Sequence, residues 1–394
     1  MKKLRVMTVI GTRPEIIRLS ACIKAFDRYF DHILVHTGQN WAYTLNGIFF
    51  DDLGLRAPDY SLECAGKNLG ETIGNIIAAT YDVMLKEKPE ALVVLGDTNS
   101  ALCVIPAKRL KIPIFHMEAG NRCFDFNVPE EINRRIVDHV ADINLAYTEH
   151  ARRYLLAEGL PRDSIFVTGS PMTEVLKNQS TSIAKSRALE RLGIKPGEYM
   201  LVSAHREENI DDETAFSSLM NAVNAVAEAY GMPVVFSTHP RTFKQIESRG
   251  FAFHPLVKRM EPFGFSDYCR LQMDAYCVLS DSGTLSEESA ILGFAAVLLR
   301  TSTERPEALD AGTIVIAGTT ETDLRQAIEL AVAMRANNEE TTTVADYTDT
   351  NVSVKVVKII QSYTKLVNRN TWRKPSGGSA AGVYSNTIEG EKQQ

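Results

Sequence analysis

The chain has 394 residues, too many for one ordinary hydrophobic core, and this length predicts two domains. Its 44% hydrophobic and 23% charged residues are typical of a soluble globular protein. The formal net charge of -6, without a basic stripe, argues against a nucleic-acid partner. Six scattered cysteines with no CxxC pair indicate a reduced, cytoplasmic setting.

Short apolar runs rich in Val, Ile and Leu alternate with amphipathic stretches, which predicts parallel strands covered by helices on both faces. The first run leads into Gly11-Thr-Arg-Pro-Glu15 rather than a cleavage site, so we interpret it as a buried strand. None approaches the ~20 residues that span a bilayer, and we expect no membrane insertion. The runs are Leu4 to Ile10, Ile33 to His36, Ala91 to Leu95, Ile112 to Phe115, Ile143 to Ala146, Ile165 to Val167, Met200 to Ser203, Val234 to Phe236, Tyr276 to Leu279, Ala295 to Leu299 and Thr313 to Ile316.

This alternation predicts two βα-repeating domains in tandem. We assign residues 1–170 to an N-terminal domain and 171–350 to a C-terminal domain. Residues 351–374 are predicted to form a helix, and its partner is left open, with a return to the N-terminal domain as one choice. Residues 375–394 have too little apolar content for a core and are predicted to be a disordered tail.

Polar motifs follow the predicted strands at seven places, and ligands of open parallel sheets bind at the carboxyl ends of strands. Any one motif also suits an ordinary loop or helix cap. Seven together, mixing Arg, His and carboxylates, favour a ligand site where the two sheets face each other. The motifs are Gly11-Thr-Arg-Pro-Glu15, Thr37-Gly-Gln39, Gly96-Asp-Thr98, His116-Met-Glu118, His205-Arg-Glu-Glu-Asn209, Thr238-His-Pro-Arg241 and Asp281-Ser-Gly-Thr284.

The turn Ser282-Gly-Thr284 is predicted to open a helix. Such a helix start presents unpaired N–H groups and a partial positive charge, which suit an anion such as a diphosphate. Glu288 lies one helical turn beyond Thr284, about 6 Å away, where its carboxylate would accept hydrogen bonds from two ribose hydroxyls. An ordinary N-cap has the same letters and remains the alternative.

Pro129 is well placed in the first turn of a second predicted helix. Its polar row lies opposite its apolar face and is either a solvated, salt-bridged surface or part of a site near Glu118. The row is Glu130, Arg134 and Asp138, and the apolar positions are Ile132, Ile136, Val137 and Val140. Three charged residues are expected to be surface groups: Glu131, Arg135 and Asp138.

Several common cofactor signatures are missing from the sequence. The first predicted strand is not followed by GxGxxG, and neither Tyr-x-x-x-Lys of the short-chain dehydrogenase kind nor Asp-x-Asp is present. We therefore expect no nicotinamide cofactor, no other cofactor and no obligatory metal.

Taken in order from residue 4 to about 365, the motifs resemble those of the non-hydrolysing UDP-N-acetylglucosamine 2-epimerases. The resemblance implies an α/β fold of the GT-B type, with two Rossmann-like domains whose parallel sheets face an interdomain cleft. It also implies a UDP-sugar isomerase that acts as a homodimer. Further matching motifs are Glu118-Ala-Gly120, Pro129-Glu-Glu131, Glu287-Glu288 and Thr303-Glu-Arg-Pro-Glu307.

By position, the resemblance also implies roles for individual residues. The serine, glycine and threonine of the 282–284 turn would hold the diphosphate and Glu288 the ribose, with Tyr268 or Phe265 near the uracil. The implied catalytic residues are Asp97, Glu118, Glu130 and His205. The implied substrate-binding residues are Arg13, Arg18, Arg122, Arg134, Arg206, Tyr268, Ser282, Gly283, Thr284, Glu288 and Arg305.

The chemistry of such a reaction explains this set of residues. The hydrogen on carbon 2 lies beside an acetal, so a direct carbanion would have no resonance partner. Without a nicotinamide cofactor, the workable route is elimination of UDP to a 2-acetamidoglycal and re-addition with a proton on the other face. This route needs carboxylate bases near carbon 2 and positive charge near the departing UDP. Which carboxylate acts on which face is left open.

The sequence departs from the common family pattern on the sugar side. Most relatives carry Leu-Arg-Thr-Gly-Asp where this chain has Asn121-Arg-Cys-Phe-Asp125. Arg18 stands where a Lys is usual, Asn40 where a His is usual, and Glu207 where a second Arg follows His-Arg. These changes make the chain similar to the branch that forms UDP-N-acetyl-L-fucosamine.

That branch inverts carbon 2 of UDP-2-acetamido-2,6-dideoxy-L-talose for capsule or O-antigen synthesis. The motif Asn368-Arg-Asn-Thr-Trp-Arg-Lys374 also resembles it, and Phe124 would suit a 6-methyl group. The alternatives are an epimerase that converts UDP-N-acetylglucosamine to UDP-N-acetylmannosamine, a glycosyltransferase of the GT-B type, and a non-catalytic UDP-sugar sensor.

Overall fold

The computed structural model describes residues 2–38, 47–337, 339 and 344–374. The chain forms two compact units: Met1–Val175 with Asp349–Gln394, and Leu176–Thr348. Gln39, Asn40 and the predicted tail at 375–394 lie outside the described residues. Among the residues described, no helix is both long and apolar enough to cross a membrane.

Each unit is built on a parallel sheet, and most strand residues are buried because helices cover both faces. Within the described residues the strands are β1 (Arg5–Ile10), β2 (Asp31–His36), β3 (Tyr60–Ser61), β4 (Ala91–Leu95), β5 (Ile114–Ala119), β6 (Ile143–Ala146), β7 (Ile165–Val167), β8 (Met200–Ser203), β9 (Val234–Ser237), β10 (Val257–Met260), β11 (Cys277–Ser280), β12 (Ala296–Leu298) and β13 (Val315–Ile316). The first sheet has the order β3-β2-β1-β4-β5-β6-β7, and the second has the order β10-β9-β8-β11-β12-β13. The predicted α/β fold with two Rossmann-like, parallel-sheet domains of the GT-B type is confirmed.

The helices begin at residues that suit helix N-termini. The side chains of Thr148, Asp212 and Thr320 each accept a hydrogen bond from the backbone N–H three residues on. Within the described residues the helices are α1 (Arg13–Tyr29), α2 (Gly47–Leu53), α3 (Leu69–Glu87), α4 (Val104–Arg109), α5 (Pro129–Val140), α6 (Glu149–Ala157), α7 (Met172–Ala184), α8 (Ala188–Leu192), α9 (Glu207–Ile210), α10 (Glu213–Tyr230), α11 (Pro240–Arg249), α12 (Phe265–Asp274), α13 (Thr284–Leu292), α14 (Pro306–Asp310), α15 (Glu321–Ala336) and α16 (Val352–Asn370).

The last helix, α16, belongs to the first unit and packs along α1. The backbone N–H of Ser353 donates to Glu174 Oε2 at 2.8 Å, and Lys355 Nζ donates to the carbonyl oxygen of Thr168 at 3.0 Å. These two contacts fix the start of α16 beside the end of the N-terminal segment of the same unit.

In each sheet the strand order reverses at one place, between β1 and β4 and between β8 and β11. Loops that leave the strands on either side of such a reversal diverge, and open α/β sheets bind ligands in the gap between them. Four of the seven polar motifs leave these strands: those beginning at Gly11, Gly96, His205 and Asp281. The topology therefore brings these motifs to the ligand-binding edge of their own unit.

The buried face of α5 is not the one predicted from the sequence. Ile132 and Ile136 are 49% and 38% exposed, whereas Glu131 and Asp138 are fully buried beside Val137. The expectation that Glu131 and Asp138 are surface groups is therefore wrong. Only part of the predicted apolar face points inward.

The reason for this correction is electrostatic. Glu131 lies 3.1 Å from Arg134 Nη1, and Asp138 lies 2.7 Å from Nη1 of the buried Arg122. A buried carboxylate is tolerated when a cation and further hydrogen bonds compensate its lost hydration. The buried face of α5 is therefore charged, and its ion-pair partners lie both within the helix and on another segment of the chain.

The close contact between β5 and α6 depends on a glycine. Gly120 has a φ of +85°, and a Cβ built on it would lie 2.5 Å from the carbonyl oxygen of Ala151. We expect Gly120→Ala to lower the free energy of unfolding by at least ~2 kcal/mol, because backbone cannot move aside cheaply. Gly159→Ala is the matched control, since Gly159 has a φ of +87° and a Cβ built on it would meet no atom within 4 Å. Gly159→Ala should lower the free energy of unfolding only by the cost of placing an alanine in the left-handed conformation, about 1 kcal/mol.

Urea unfolding of the two glycine variants beside the wild type measures this difference. Equal losses of unfolding free energy would show that the contact with Ala151 has no energetic weight.

Candidate active site

Glu118 lies at a strained position near the end of β5. Its φ is +65°, in the left-handed region that few non-glycine residues adopt, and the register with β6 shifts between Met117 and Ala119. Its buried side chain forms an ion pair with Arg18 of α1 and accepts a hydrogen bond from Asn121 Nδ2 at 3.2 Å. Strain of this kind costs about 1–3 kcal/mol and is concentrated at functional sites. The structure therefore places Glu118, a predicted catalytic residue, at a buried position with an unusual backbone conformation.

Asp97 follows β4 and is held by α5. Arg134 donates to Asp97 Oδ2 through Nε at 2.9 Å and Nη2 at 2.6 Å, and Asn133 Nδ2 donates to the carbonyl oxygen of Asp97 at 3.0 Å. Two guanidinium N–H groups on one carboxylate oxygen restrict its orientation. The structure therefore brings together a predicted catalytic residue, Asp97, and a predicted binding residue, Arg134.

A second layer of charge supports this pair. The buried Glu131 accepts hydrogen bonds from Arg134 Nη1 at 3.1 Å, from Arg135 Nε at 3.0 Å and from the backbone N–H of Cys123 at 3.1 Å. It thus joins α5 to the 121–125 segment, in which this sequence departs from the family pattern. Sequence reasoning missed this role of Glu131.

Arg122 lies in the interior of the first unit. Its Nε and Nη2 donate to Glu158 at 2.7 and 2.6 Å, and its Nη1 donates to Asp138 Oδ2 and to the carbonyl oxygen of Asn121, both at 2.7 Å. The hydrogen bonds from Arg122 lower the pKa of Glu158 to about 2. Because its side chain is fully buried, a supporting role suits Arg122 better than contact with a ligand.

Two other predicted residues begin helices. Arg13 is the first residue of α1, and its guanidinium carbon lies 5.6 Å from the centre of the Phe49 ring. Glu130 is half-buried in the first turn of α5. Phe124, which was expected to suit a 6-methyl group, is 62% exposed, and its ring packs edge-on against Tyr154 of α6 at 5.3 Å.

Glu15 connects the turn after β1 to the loop after β4. Its buried carboxylate accepts hydrogen bonds from the N–H groups of Gly11 and Thr12 at 3.1 and 2.8 Å and from Ser100 Oγ at 2.6 Å. The sequence patterns assigned no individual role to Glu15. The spacing of Thr12 and Glu15, typical of a capping box, was the available signal.

Burial raises the pKa of Glu15 from 4.5 to about 7, against the lowering effect of its hydrogen bonds. Between these values the folded state keeps a proton that the unfolded chain has lost. The stabilisation from Glu15 is therefore fully present below pH 4.5 and is lost as pH rises through about 7. From about pH 5 to pH 8, the wild type should lose roughly 2–3 kcal/mol more unfolding free energy than Glu15→Gln.

Urea unfolding at several pH values measures how the unfolding free energy changes with pH in the wild type and in Glu15→Gln. Ser100→Ala keeps the carboxyl group but removes a donor that lowers its pKa, so its loss of unfolding free energy with pH should be at least as steep as that of the wild type. Parallel curves for the wild type and Glu15→Gln would contradict the raised pKa.

In the second unit, Asp281 orders the turn that follows β8. Its fully buried carboxylate accepts hydrogen bonds from the backbone N–H groups of His205 and Arg206, both at 2.9 Å, and from Asn209 Nδ2 at 3.1 Å. Burial raises the pKa of Asp281, although these donors favour its charged form. The His205 ring also lies 5.7 Å from the ring of His239, centre to centre. Two predicted site residues, His205 and Arg206, thus share a buried anchor.

The turn that opens α13 packs closely against a buried side chain. A Cβ at Gly283 would collide with Oε1 of the buried Glu304. Glu304 accepts a hydrogen bond from Arg300 Nη1 at 2.7 Å and lies 3.4 Å from Arg206 Nη2. The hydroxyl oxygens of the flanking Ser282 and Thr284 lie 3.0 Å apart. The predicted diphosphate turn therefore lies next to the guanidinium of Arg206.

The remaining predicted residues of the second unit are mostly buried. Glu288 Oε2 accepts a hydrogen bond from Gln272 Nε2 of α12 at 2.6 Å. Tyr268 is on the same helix and packs, partly buried, on the hydrophobic core. Arg305 is buried, with Nη2 3.7 Å from Glu287 Oε1. Of these, Glu288 is one turn along α13 from the Ser-Gly-Thr turn, as predicted.

Across the part of the chain that the structure describes, no cluster of three or more His, Cys, Asp or Glu side chains is arranged to hold a metal ion.

Comparison with known proteins identifies the family. Residues 24–361 match the family described as UDP-N-acetylglucosamine 2-epimerase. A UDP-N-acetylglucosamine 2-epimerase of Methanocaldococcus jannaschii is 35% identical over 345 residues, which are 85% of this chain and 94% of that protein. The UDP-2,3-diacetamido-2,3-dideoxy-D-glucuronate 2-epimerase of Pseudomonas aeruginosa is 35% identical over 319 residues, which are 80% of this chain and 88% of that protein.

Solved structures agree with this result. The UDP-N-acetylglucosamine 2-epimerase of Rickettsia bellii has a TM-score of 0.87 at 46% identity, covering 94% of this chain and 100% of that chain. The M. jannaschii UDP-GlcNAc 2-epimerase in complex with UDP-GlcNAc and UDP has a TM-score of 0.84 at 31% identity, covering 91% of this chain and 99% of that chain. The resemblance to the family is confirmed, and the chain belongs to the UDP-N-acetylglucosamine 2-epimerase family, a family of isomerases that act on UDP-sugars.

Proposed function

We propose that the chain is a cofactor-independent UDP-sugar 2-epimerase that eliminates UDP to a 2-acetamidoglycal and adds it back with carbon 2 inverted. The observation that carries this proposal is Glu118, a buried carboxylate held at a strained backbone position and paired with Arg18. A carboxylate that is fixed in direction by a cation and a backbone turn suits proton abstraction from a weakly acidic carbon.

The proposed steps balance without an oxidant or a reductant. In the elimination, a carboxylate takes the proton from carbon 2, a double bond forms between carbons 1 and 2, and the phosphate oxygen of UDP leaves with the electron pair of the anomeric bond. In the return step, that oxygen attacks carbon 1 while a carboxylic acid delivers a proton to the opposite face of carbon 2. Glu118, Asp97 and Glu130 are the proposed acids and bases, all in the first unit.

The second unit is proposed to bind UDP. The helix start at Ser282 to Thr284 supplies N–H groups and hydroxyls, and Arg206 lies beside it, so a diphosphate would meet both a helix dipole and a guanidinium. The same groups would stabilise the negative charge of departing UDP, with His205 as a further donor. Glu288 is proposed to accept hydrogen bonds from the ribose hydroxyls.

For the sugar, we propose UDP-2-acetamido-2,6-dideoxy-L-talose, converted to UDP-N-acetyl-L-fucosamine for capsule or O-antigen synthesis. Two of the residues that depart from the family pattern, Arg18 and Asn121, both contact Glu118. A third, Glu207, pairs with Arg241 at 2.5 Å. Sequence changes in residues that contact the proposed catalytic carboxylate support a different sugar as the substrate. Phe124 packs against Tyr154 of α6 and does not support this choice.

The alternative substrate is UDP-N-acetylglucosamine, with UDP-N-acetylmannosamine as the product. Most of the similar proteins are named UDP-N-acetylglucosamine 2-epimerases, including the one from Rickettsia bellii, and these names favour the alternative substrate. The Pseudomonas aeruginosa relative is named for a different UDP-sugar, which supports variation of the sugar within the family. Assembly as a homodimer is a further proposal from the resemblance.

Offering the two UDP-sugars side by side, and following the carbon-2 coupling of the products by NMR, tests the proposal. We expect faster inversion of the L-talo substrate. Equal turnover of UDP-N-acetylglucosamine would overturn the L-fucosamine assignment while leaving the epimerase in place. Failure to invert either sugar would count against the epimerase itself.

A further inference from the structure

The buried carboxylate of Asp138 contacts the chain on both sides of Glu118, in β5 and just after it. His116, two residues before Glu118, has Nδ1 2.9 Å from Asp138 Oδ1. Gly120, two residues after Glu118, has its backbone N–H donating to both oxygens of Asp138 at 3.2 Å. One side chain of α5 thus holds both ends of the segment whose middle residue has a φ of +65°.

The His116 ring extends this connection to β4. Its Nε2 lies 2.8 Å from the carbonyl oxygen of Gly96, within hydrogen-bonding distance. A Cβ built at Gly96 would lie 3.4 Å from Glu118 Oε2, so the end of β4 is next to the Glu118 carboxylate. The histidine therefore ties Asp138 to the backbone against which that carboxylate rests.

Asp138 is itself fixed from two other directions. Arg122 Nη1 donates to its Oδ2 at 2.7 Å, and Asn144 Nδ2 donates to its carbonyl oxygen at 3.0 Å. The side chains of Asp138, His116 and Arg122 are all fully buried. A charged group held by this many partners has little freedom to follow a relaxing backbone.

We propose that Asp138 is a positioning residue that keeps the backbone at Glu118 in its left-handed conformation and so fixes the direction of the Glu118 carboxylate. The inference rests on the proposed function, in which Glu118 exchanges a proton with carbon 2. Without the contacts to His116 and Gly120, the strained segment relaxes toward an ordinary extended conformation. A shift of about 1 Å in a reacting group costs about 10²-fold in rate.

Asp138→Asn keeps the shape of the side chain but removes its charge. We expect kcat to fall at least ~30-fold, while KM and the Kd of UDP stay within about threefold. The reason is that the substitution changes the direction of the Glu118 carboxylate and not the affinity for the ligand. Glu158→Gln is the matched control. It removes the other acidic partner of Arg122 without touching His116 or Gly120, and its kcat should stay within about threefold of wild type.

If Asp138 only stabilised the fold, its substitution would lower the melting temperature and the yield of active protein but not the kcat of each intact site. The number of intact sites is therefore measured by UDP titration, and kcat is expressed per site. If Asp138→Asn does not fold, His116→Gln provides the test, since it leaves Asp138 paired with Arg122, and kcat should fall at least ~10-fold. A per-site kcat within about threefold of wild type in the folded variant would overturn the inference. A wild type that inverts neither UDP-sugar would instead overturn the proposed function.

Discussion

Glu118→Gln is expected to lower turnover at least ~10²-fold, which is the scale of general acid–base effects, while the Kd of UDP stays unchanged. The amide keeps the shape and the hydrogen bond from Asn121 but can neither take a proton from carbon 2 nor keep the ion pair with Arg18. NMR assays of carbon-2 inversion give the turnover, and calorimetry gives the affinity for UDP.

The matched control for Glu118→Gln is Glu149→Gln on α6, where the side chain is about half exposed and pairs with Arg152. It should behave as wild type. Near-normal turnover of Glu118→Gln would remove this residue from the mechanism. Asp97→Asn and Glu130→Gln are expected to act like Glu118→Gln, and an active Glu130→Gln would return that residue to a solvated helix surface.

Asp281→Ala is expected to weaken UDP binding at least ~10-fold and to lower the free energy of unfolding by about 2–3 kcal/mol. Three N–H donors would lose this acceptor: the part-buried backbone groups of His205 and Arg206, and the buried side chain of Asn209, which keeps its bond to the carbonyl oxygen of Leu299. The turn that carries His205 and Arg206 would then no longer be held in one conformation.

Asp212→Ala is the matched control for Asp281→Ala, because Asp212 also accepts from a backbone N–H, that of Ala215 at the exposed start of α10. It should cost about 1 kcal/mol of unfolding free energy and leave UDP affinity unchanged. Calorimetry and urea unfolding measure both effects. Unchanged UDP affinity in Asp281→Ala would show that the buried anchor does not order the UDP site.

The strands could be predicted from the sequence because parallel strands covered on both faces need unbroken apolar runs. Leu4 to Ile10 became β1, and Ala91 to Leu95 became β4 with the same bounds. The same reasoning placed the polar motifs at the strand ends. The order of the strands is not contained in the runs themselves, and it became known only from the structure.

The charged interior of the first unit could not be predicted in the same way. Periodicity treats Asp138 as polar and therefore exposed, but its partner Arg122 lies sixteen residues earlier, on another segment. The left-handed φ of Glu118 also leaves no trace in the sequence, because a glutamate there looks like any other strand-end carboxylate. Sequence patterns thus indicated the proposed reacting groups, whereas the residues that hold them became visible only in the structure.

Solvent deuterium exchange at carbon 2 tests the proposed elimination and re-addition most directly. The purified chain, without added cofactor, is incubated in D2O with each UDP-sugar, and the recovered nucleotide sugars are analysed by NMR and mass spectrometry. The proposal predicts one deuterium at carbon 2 of the epimerised sugar. An epimer that keeps its original hydrogen, or no incorporation with either sugar, would contradict it.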